Sequence, residues 1–423
     1  MTKAGQGSAR DAGHRSLAVL LAISLAAAGA TSAPASLWNM EGLGGWVYGY
    51  DQAARAAGGT AIGVIDPFGM SPINPAQSAW ATLPQAHFGY TSQRITTEAS
   101  GSGSSDVSGA SGVTGARVVI PLPGTLRFAA GFRSLTDGAC DARLAVNPER
   151  GDGFIRQIEG TGGLNELSLG ISGTLLERRA AAGVRFGLAN GSLREVIEDD
   201  FVAGEFLDTR MVLRTRMENG LTWAAGVQGR PGPRLALGLY AAGGGTLDLK
   251  GQATEGTHRR YDRRAEVDIP EEFGAGLSWL ATPRLRLAAD WSRVGWGDVD
   301  ITLKGVTRAG EERAPTRFVD TDRYGVGLTW LPGEVSPRDP LLRRSVLRAG
   351  FSLDDYYTPQ MDGSVPHAWT ASVGLGLPVQ VDRGFLDLML SYGRAGSLTD
   401  TGLEEASLTF GIGLTFGRLT SDY

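Results

Sequence analysis

The side chains best suited to chemistry are few and poorly spaced for it. The four histidines are His14, His87, His258 and His367. No two stand at the spacing that places metal ligands on one face. No Gly-x-Ser-x-Gly elbow sits in a strand-to-helix context, and no glycine-rich phosphate loop ends in Lys-Ser or Lys-Thr. The one cysteine, Cys140, excludes an internal disulfide and a cysteine-cluster metal site. Hydrolysis would need His87, His258 or His367 beside a serine or acid. The expectation is therefore a protein that is not an enzyme and holds no cofactor or metal.

The charged residues are more informative. Glu195, Glu198, Asp199 and Asp200 cluster in a predicted loop, as a hard-cation site or a solvated turn. Residues 258–264 read HRRYDRR, which would hold lipopolysaccharide phosphates through arginine forks or pair with its own surroundings. Arg127, Arg133, Arg185, Arg286, Asp290 and Arg348 fall at alternate positions of strand-like segments. A dry core rejects such charges unless they are paired. A wet lumen, or one filled by a plug, accepts them. They would then hold a carboxylate head group, or pair with the plug and with each other. The net charge of -5 gives no electrostatic footprint for nucleic acid.

What positions these charges is a two-residue rhythm. A strand sends successive side chains to opposite faces. In a membrane barrel apolar residues then face lipid, and polar or small ones face the lumen. Leu408, Phe410, Ile412, Leu414 and Phe416 alternate with Thr409, Gly411, Gly413 and Thr415. Leu126, Phe128, Ala130 and Phe132 alternate with Arg127, Ala129, Gly131 and Arg133. The pattern predicts an all-β, antiparallel transmembrane barrel of about fourteen strands. They lie near 85–97, 113–121, 125–135, 164–176, 180–196, 210–230, 234–252, 264–281, 284–304, 320–332, 345–357, 368–379, 384–396 and 403–417. The sixth is the least defined, with a shorter strand from Leu221 as its alternative. Short turns near 121–125, 177–179, 230–233 and 281–283 alternate with longer connections such as 98–112, 136–163, 253–263, 305–320 and 358–367. Short turns belong on the periplasmic side and long loops outside. Trp279, Trp291, Trp296, Trp330, Trp369 and Tyr392 are candidates for an interfacial girdle.

The chain's start differs from the rest. Lys3, Arg10 and Arg15 precede an apolar run, Leu17 to Ala28, followed by small residues. Residues 1–35 thus read as a cleaved signal peptide, with cleavage after Ala30, Ala33 or Ala35. The run is shorter than the roughly 20 residues of a spanning helix. No later stretch is apolar enough, in keeping with a mean hydropathy of -0.09. Residues 36–84 are rich in Gly, Ala and Pro, with weak alternation. They form a plug in the lumen or a periplasmic arm, before a barrel over 85–423. Trp46, Tyr48, Phe68, Met70 and Ile73 could give such a plug an apolar pocket.

Three passages carry a family resemblance: Ala54 to Trp80 (ARAAGGTAIGVIDPFGMSPINPAQSAW), Ile269 to Trp296 (IPEEFGAGLSWLATPRLRLAADWSRVGW), and Asp320 to Pro359, with TDRYGVGLTW and LRAGFSLDDYYTP. Together they resemble the FadL/TodX family of outer-membrane hydrophobic-compound transporters. The first looks like that family's N-terminal hatch, with Asn74, Pro75 and Ala76 as the residues that fix it. The resemblance implies passive uptake of long-chain fatty acids or aromatic hydrocarbons. The expected partners are a hydrophobic ligand, outer-membrane lipid and lipopolysaccharide, and the chain is expected to be a monomer. Gly417 to Tyr423 depart from the family's pattern of ending on the aromatic that closes the last strand. A polar-solute porin and an accessory scaffold barrel of a secretion system remain as other readings.

Overall fold

The computed structural model describes residues 36–39, 42–48, 51–99, 105–146, 154–201, 209–255, 259–301, 316–332, 338–359, 365–379, 384–400 and 402–417. The predicted signal peptide, His14, His258 and most of Gly417 to Tyr423 lie outside these residues.

Fourteen antiparallel wall strands close into a barrel. The first eight are β1 Gln85–Ala99, β2 Ser105–Pro121, β3 Leu126–Ser134 continued by Cys140–Val146, β4 Phe154–Leu175, β5 Ala180–Phe201, β6 Thr209–Gly229, β7 Leu235–Gly244 continued by Thr246–Glu255, and β8 Arg259–Asp268 continued by Glu272–Thr282. The rest are β9 Leu285–Val294, β10 Thr321–Trp330, β11 Val346–Asp355, β12 His367–Val379, β13 Gly384–Ser397 and β14 Leu403–Gly417. β14 pairs back onto β1, from Gln85 opposite Gly417 to Ala99 opposite Leu403. Closure satisfies the backbone groups that an open sheet edge would leave bare in hydrocarbon.

The wall is apolar on the outside. Leu408, Phe410, Ile412 and Phe416 are 36–48% exposed, while Thr409 and Thr415 between them are buried. The same holds for Leu167, Leu169 and Ile171 on β4 and for Leu347, Phe351 and Leu353 on β11. An apolar surface of this extent around a whole circumference suits lipid and not water. Trp279, Trp330 and Tyr392 are exposed on this outer face, where indole and phenol favour the lipid boundary. Trp296 does not join them. It is fully buried inside, in an apolar cluster with Leu164, Met217, Leu247 and Val294. It follows the end of β9, in a single 3-10 turn, Trp296–Asp298.

Several expectations about strand ends are corrected. β6 keeps its predicted window as Thr209–Gly229, so only the alternative start near Leu221 is set aside. β9 ends at Val294, not near residue 304. Residues 136–163 are not simply an external loop, since they hold the second part of β3 and the first part of β4. The acidic cluster lies on β5, where Glu198 pairs with Arg210 at 2.5 Å and Asp199 with Arg156 at 2.7 Å. These upper strand ends stand beyond the apolar belt. There cross-strand ion pairs and backbone ladders hold the sheet, so greasy alternation is lost while the strand continues.

β3 is interrupted at Leu135–Ala139. Thr136 and Asp137 turn inward and pair with Trp46 and Gly45 of the N-terminal segment. β2 pairs with β3 only from Gly115 opposite Arg133 to Pro121 opposite Arg127. Above that point β3 pairs with β4, from Cys140 opposite Gly160 to Val146 opposite Phe154. Among the described residues no backbone ladder joins β2 to this upper part of β3.

Candidate functional site

The segment before Gln85 fills the middle of the cylinder. A short helix, α1 (Gln52–Ala56), starts at Asp51, whose carboxylate accepts from the Ala53 amide at 2.9 Å. The Gln52 amide donates to Thr114 Oγ1 of β2 at 3.1 Å. Thr114 is the extra residue of β2 where the register of β1 against β2 shifts.

Asn74 is completely buried and binds on every side. Its Oδ1 accepts from the Ala76 amide at 3.1 Å, capping the 3-10 turn Pro75–Trp80. Its Nδ2 donates to the carbonyls of Ile62 at 3.1 Å, Val227 at 3.1 Å and Leu239 at 3.3 Å. The last two belong to wall strands β6 and β7. One side chain thus joins two parts of the segment to each other and to the barrel. Pro75 takes the first position of the turn, where its missing N–H costs nothing. Ala76 is fully buried against Ile65, Trp80 and Ala181. Bare wall positions admit this approach: a Cβ on Gly226 would lie 2.1 Å from Asn74 Oδ1, and one on Gly183 2.6 Å from the Pro75 carbonyl carbon.

All six predicted lumen charges point inward and have partners. Arg127 donates to the Ala81 carbonyl at 2.6 Å. Arg133 binds Glu166, which also faces Arg185 at 3.1 Å. Arg185 in turn donates to the Pro72 carbonyl. Arg286 faces Asp66 at 3.5 Å. Asp290 accepts from the amides of Ala61 at 2.5 Å and Ile62 at 2.7 Å. Arg348 pairs with Asp387 at 2.6 Å. Further charges of the same kind were missed, Arg117 and Arg323 among them. Arg117 donates to the Ser71 carbonyl at 2.7 Å and to Ser78 Oγ at 2.6 Å. Arg323 donates to the Gly58 carbonyl at 2.9 Å and faces Asp354 at 2.8 Å. Both stand at inward positions of predicted strands, and that parity was the available signal.

The seated segment divides the lumen into two cavities. One, of about 340 Å³, opens toward the short-turn rim, near Leu331, Pro332 and Phe385. The other, of about 240 Å³, lies on the long-loop side and is lined by Trp46, Tyr48, Arg55, Trp296, Arg323 and Tyr357. The partition is α1 with the turn after it. Ala53, Ala54, Ala57 and Thr60 face the first cavity; Arg55, Gly58 and Gly59 face the second. Ser372 Oγ donates to the Ala56 carbonyl at 3.1 Å, and Thr60 Oγ1 to the Ala57 carbonyl at 2.8 Å. A Cβ on Gly350 of β11 would fall 1.9 Å from the Gly58 nitrogen.

The five predicted pocket residues do not share one pocket. Trp46 and Tyr48 line the loop-side cavity, and Phe68 lines the other, edge-on to Phe385 at 5.4 Å. Met70 is sealed against Ala81, Val119 and Ala129, and Ile73 packs on Ile62, Ala224 and Tyr240. A chain crossing the lumen must bury some apolar residues simply to seat itself. Nor is the lumen wholly polar. The wall's own Leu164, Met217, Leu247, Leu249, Val267 and Trp296 form an apolar cluster with Leu43. Of the histidines, His87 is buried beside Thr415 at 2.9 Å, and His367 meets Asp355 at 2.7 Å. Among the described residues no group of acids, histidines and cysteine could hold a metal ion.

No family model matches the sequence, and no curated protein matches it. Solved structures do match. A FadL homologue from Pseudomonas aeruginosa superposes with a TM-score of 0.59 at 16% identity, over 88% of this chain and 99% of that one. The toluene transporter TodX of Pseudomonas putida gives 0.58 at 16%, over 88% and 99%. The toluene transporter TbuX of Ralstonia pickettii gives 0.57 at 14%, over 88% and 99%. The chain has the fold of these channels.

Proposed function

We propose that this barrel, which shares the fold of the FadL and TodX channels, sits in the bacterial outer membrane and passes hydrophobic small molecules passively inward. The observation that carries the reading is the pair of lumenal cavities separated by a hatch, with the loop-side cavity backed by an aromatic and aliphatic cluster. A polar-solute porin needs an open aqueous route, which the hatch seated across the lumen opposes. The apolar cluster gives a solute with little affinity for water a place to stop. Passage then needs the hatch to rearrange, and the ligand favours that only if it binds the rearranged state more tightly. The seam between β2 and the upper part of β3 lies next to Gly45 and Trp46. It offers such a solute a way out that avoids the polar rim. No energy source or catalytic group enters this scheme.

Vesicles test it. The reading expects protein-dependent equilibration of a fluorescent fatty acid or an aromatic hydrocarbon, without swelling in a small sugar. Swelling in the sugar without any apolar flux would refute it in favour of a porin. Native mass spectrometry of gently extracted protein is expected to find a retained apolar molecule.

A further inference from the structure

The short-turn rim carries arginines that no acid balances. Arg178 and Arg179 stand in the β4–β5 turn, Arg230 and Arg234 in the β6–β7 turn, and Arg284 in the β8–β9 turn, all of them exposed. Residues 176–179, 230–234 and 283–284 hold a single acid, Glu177, although acids outnumber cations over the whole chain by 45 to 40. Among the described residues none of these guanidiniums meets a carboxylate. The turns sit side by side. The Arg230 amide donates to the Arg179 carbonyl at 2.7 Å, the Leu280 amide to the Arg234 carbonyl at 2.8 Å and the Leu331 amide to the Arg284 carbonyl at 2.7 Å. Arg230 lies over the Trp80 ring at 4.9 Å. Partial burial, with Arg178 close by, lowers its guanidinium below the usual range. Like charges so gathered repel, and an anion beside them relieves the repulsion.

These arginines stand at the level of lipid headgroups. Arg234 and Arg284 precede Leu235 and Leu285, which lie opposite the outward-facing Trp279 and Trp330. Indoles mark the boundary between hydrocarbon and headgroups, and short turns face the periplasm. Leu176 and Leu342, on the same rim, are 75% and 76% exposed, which suits lipid better than water. Just above Arg178, Arg179 and Arg230 the outer wall is hollow. An apolar groove of about 700 Å³ has Leu126, Ile171, Leu175 and Leu239 at its sides and Ala182 and Ala225 on its floor. Small residues continue it to the rim: Ala180 and Gly229 lie opposite each other, between Leu175 and Leu237. From Ala225 to Gly229 the strand runs roughly 13 Å, and Arg230 follows at the groove's foot. We propose that groove and rim together bind an anionic phospholipid of the periplasmic leaflet, its phosphate on Arg178, Arg179 and Arg230 and an acyl chain along Ala182 and Ala225. The guanidinium fork matches phosphate oxygens in shape as well as charge. Such a lipid sits on the outer wall and does not depend on what crosses the lumen.

The test is native mass spectrometry of the full chain in detergent, with equimolar dioleoyl phosphatidylglycerol and dioleoyl phosphatidylcholine as probes. Phosphatidylglycerol is expected to stay bound about ten-fold more than phosphatidylcholine, since each basic residue at an anionic surface adds its own attraction. R178Q/R179Q/R230Q is expected to bring the two lipids to near parity. R343Q, at a rim arginine already paired with Asp339 at 3.6 Å, is expected to keep the native preference. A182L fills the groove and is expected to lower retained phosphatidylglycerol several-fold. Heat resistance of each barrel shows that the variants are folded. Equal retention of the two lipids by the native chain overturns the proposal without recourse to any variant, and leaves the rim to an acidic protein surface. A preference that the folded triple variant keeps overturns the phosphate assignment. Full retention by A182L overturns the groove assignment.

Discussion

Asn74 shows how much of this site depends on single side chains. Its amide satisfies carbonyls from the hatch and from two wall strands, and no other residue type of that size offers both donors and an acceptor. N74A should therefore leave Asn74's three carbonyl partners short of a donor and destabilise the seated hatch by about 1–3 kcal/mol. Protease cleavage within residues 51–84 of the folded barrel should then become detectable, and no gain in cleavage over wild type would contradict this role. Glu166 is a second such point. It holds Arg133 and Arg185 inside the lumen, so E166Q removes the charge that balances both. A loss of about 3–5 kcal/mol is expected for breaking such a buried set, read as a lowered heat-denaturation midpoint in detergent. The inward parity of Arg127, Arg133, Arg185, Arg286, Asp290 and Arg348 was legible from the rhythm of their strands. Their partners were not, because Pro72, Ala81, Ala61 and Ile62 offer backbone groups, and backbone leaves no mark in a sequence. Arg55 went unnoticed for the converse reason: it stands in a segment without alternation.

The wall strands were legible where lipid imposes a pattern and lost where it does not. β10, β12 and β14 match their predicted windows closely, since each keeps its alternation to the strand ends. β5 and β6 run well past the apolar belt, on ion pairs such as Glu198 with Arg210. Charged side chains on both faces hid the extension of β5 past residue 196, while β6, Thr209–Gly229, keeps its predicted window of 210–230. The break in β3 was also hidden, because Leu135–Ala139 leave the wall to pair with the hatch, a long-range contact that no local pattern announces. Seating of α1 depends on wall positions that lack a side chain. G350V should force Gly58 off β11 while the ladder of β11 with β10 and β12 persists. The expected result is transient channel openings in planar bilayers from a barrel that still resists heat. A silent variant would show that the partition does not depend on this contact.

At the scale of the molecule, the greasy face is outside and the charged, partnered face is inside. Nitroxide labels placed singly at 408, 410, 412 and 416 should be accessible to oxygen in bilayers. Labels at 409 and 415 should not, and the reverse assignment would contradict the orientation of β14. The overall plan of a closed antiparallel membrane barrel was readable because membrane and lumen each impose a composition. The division into two cavities was not, since it arises from how the hatch chain lies across the barrel. That division is the premise of the transport reading, and electrical recording tests it most directly. The intact protein in a planar bilayer should show little steady conductance, and the barrel lacking residues 36–84 should show a large, stable pore. Equal conductance from the two would mean that the N-terminal segment does not block the lumen.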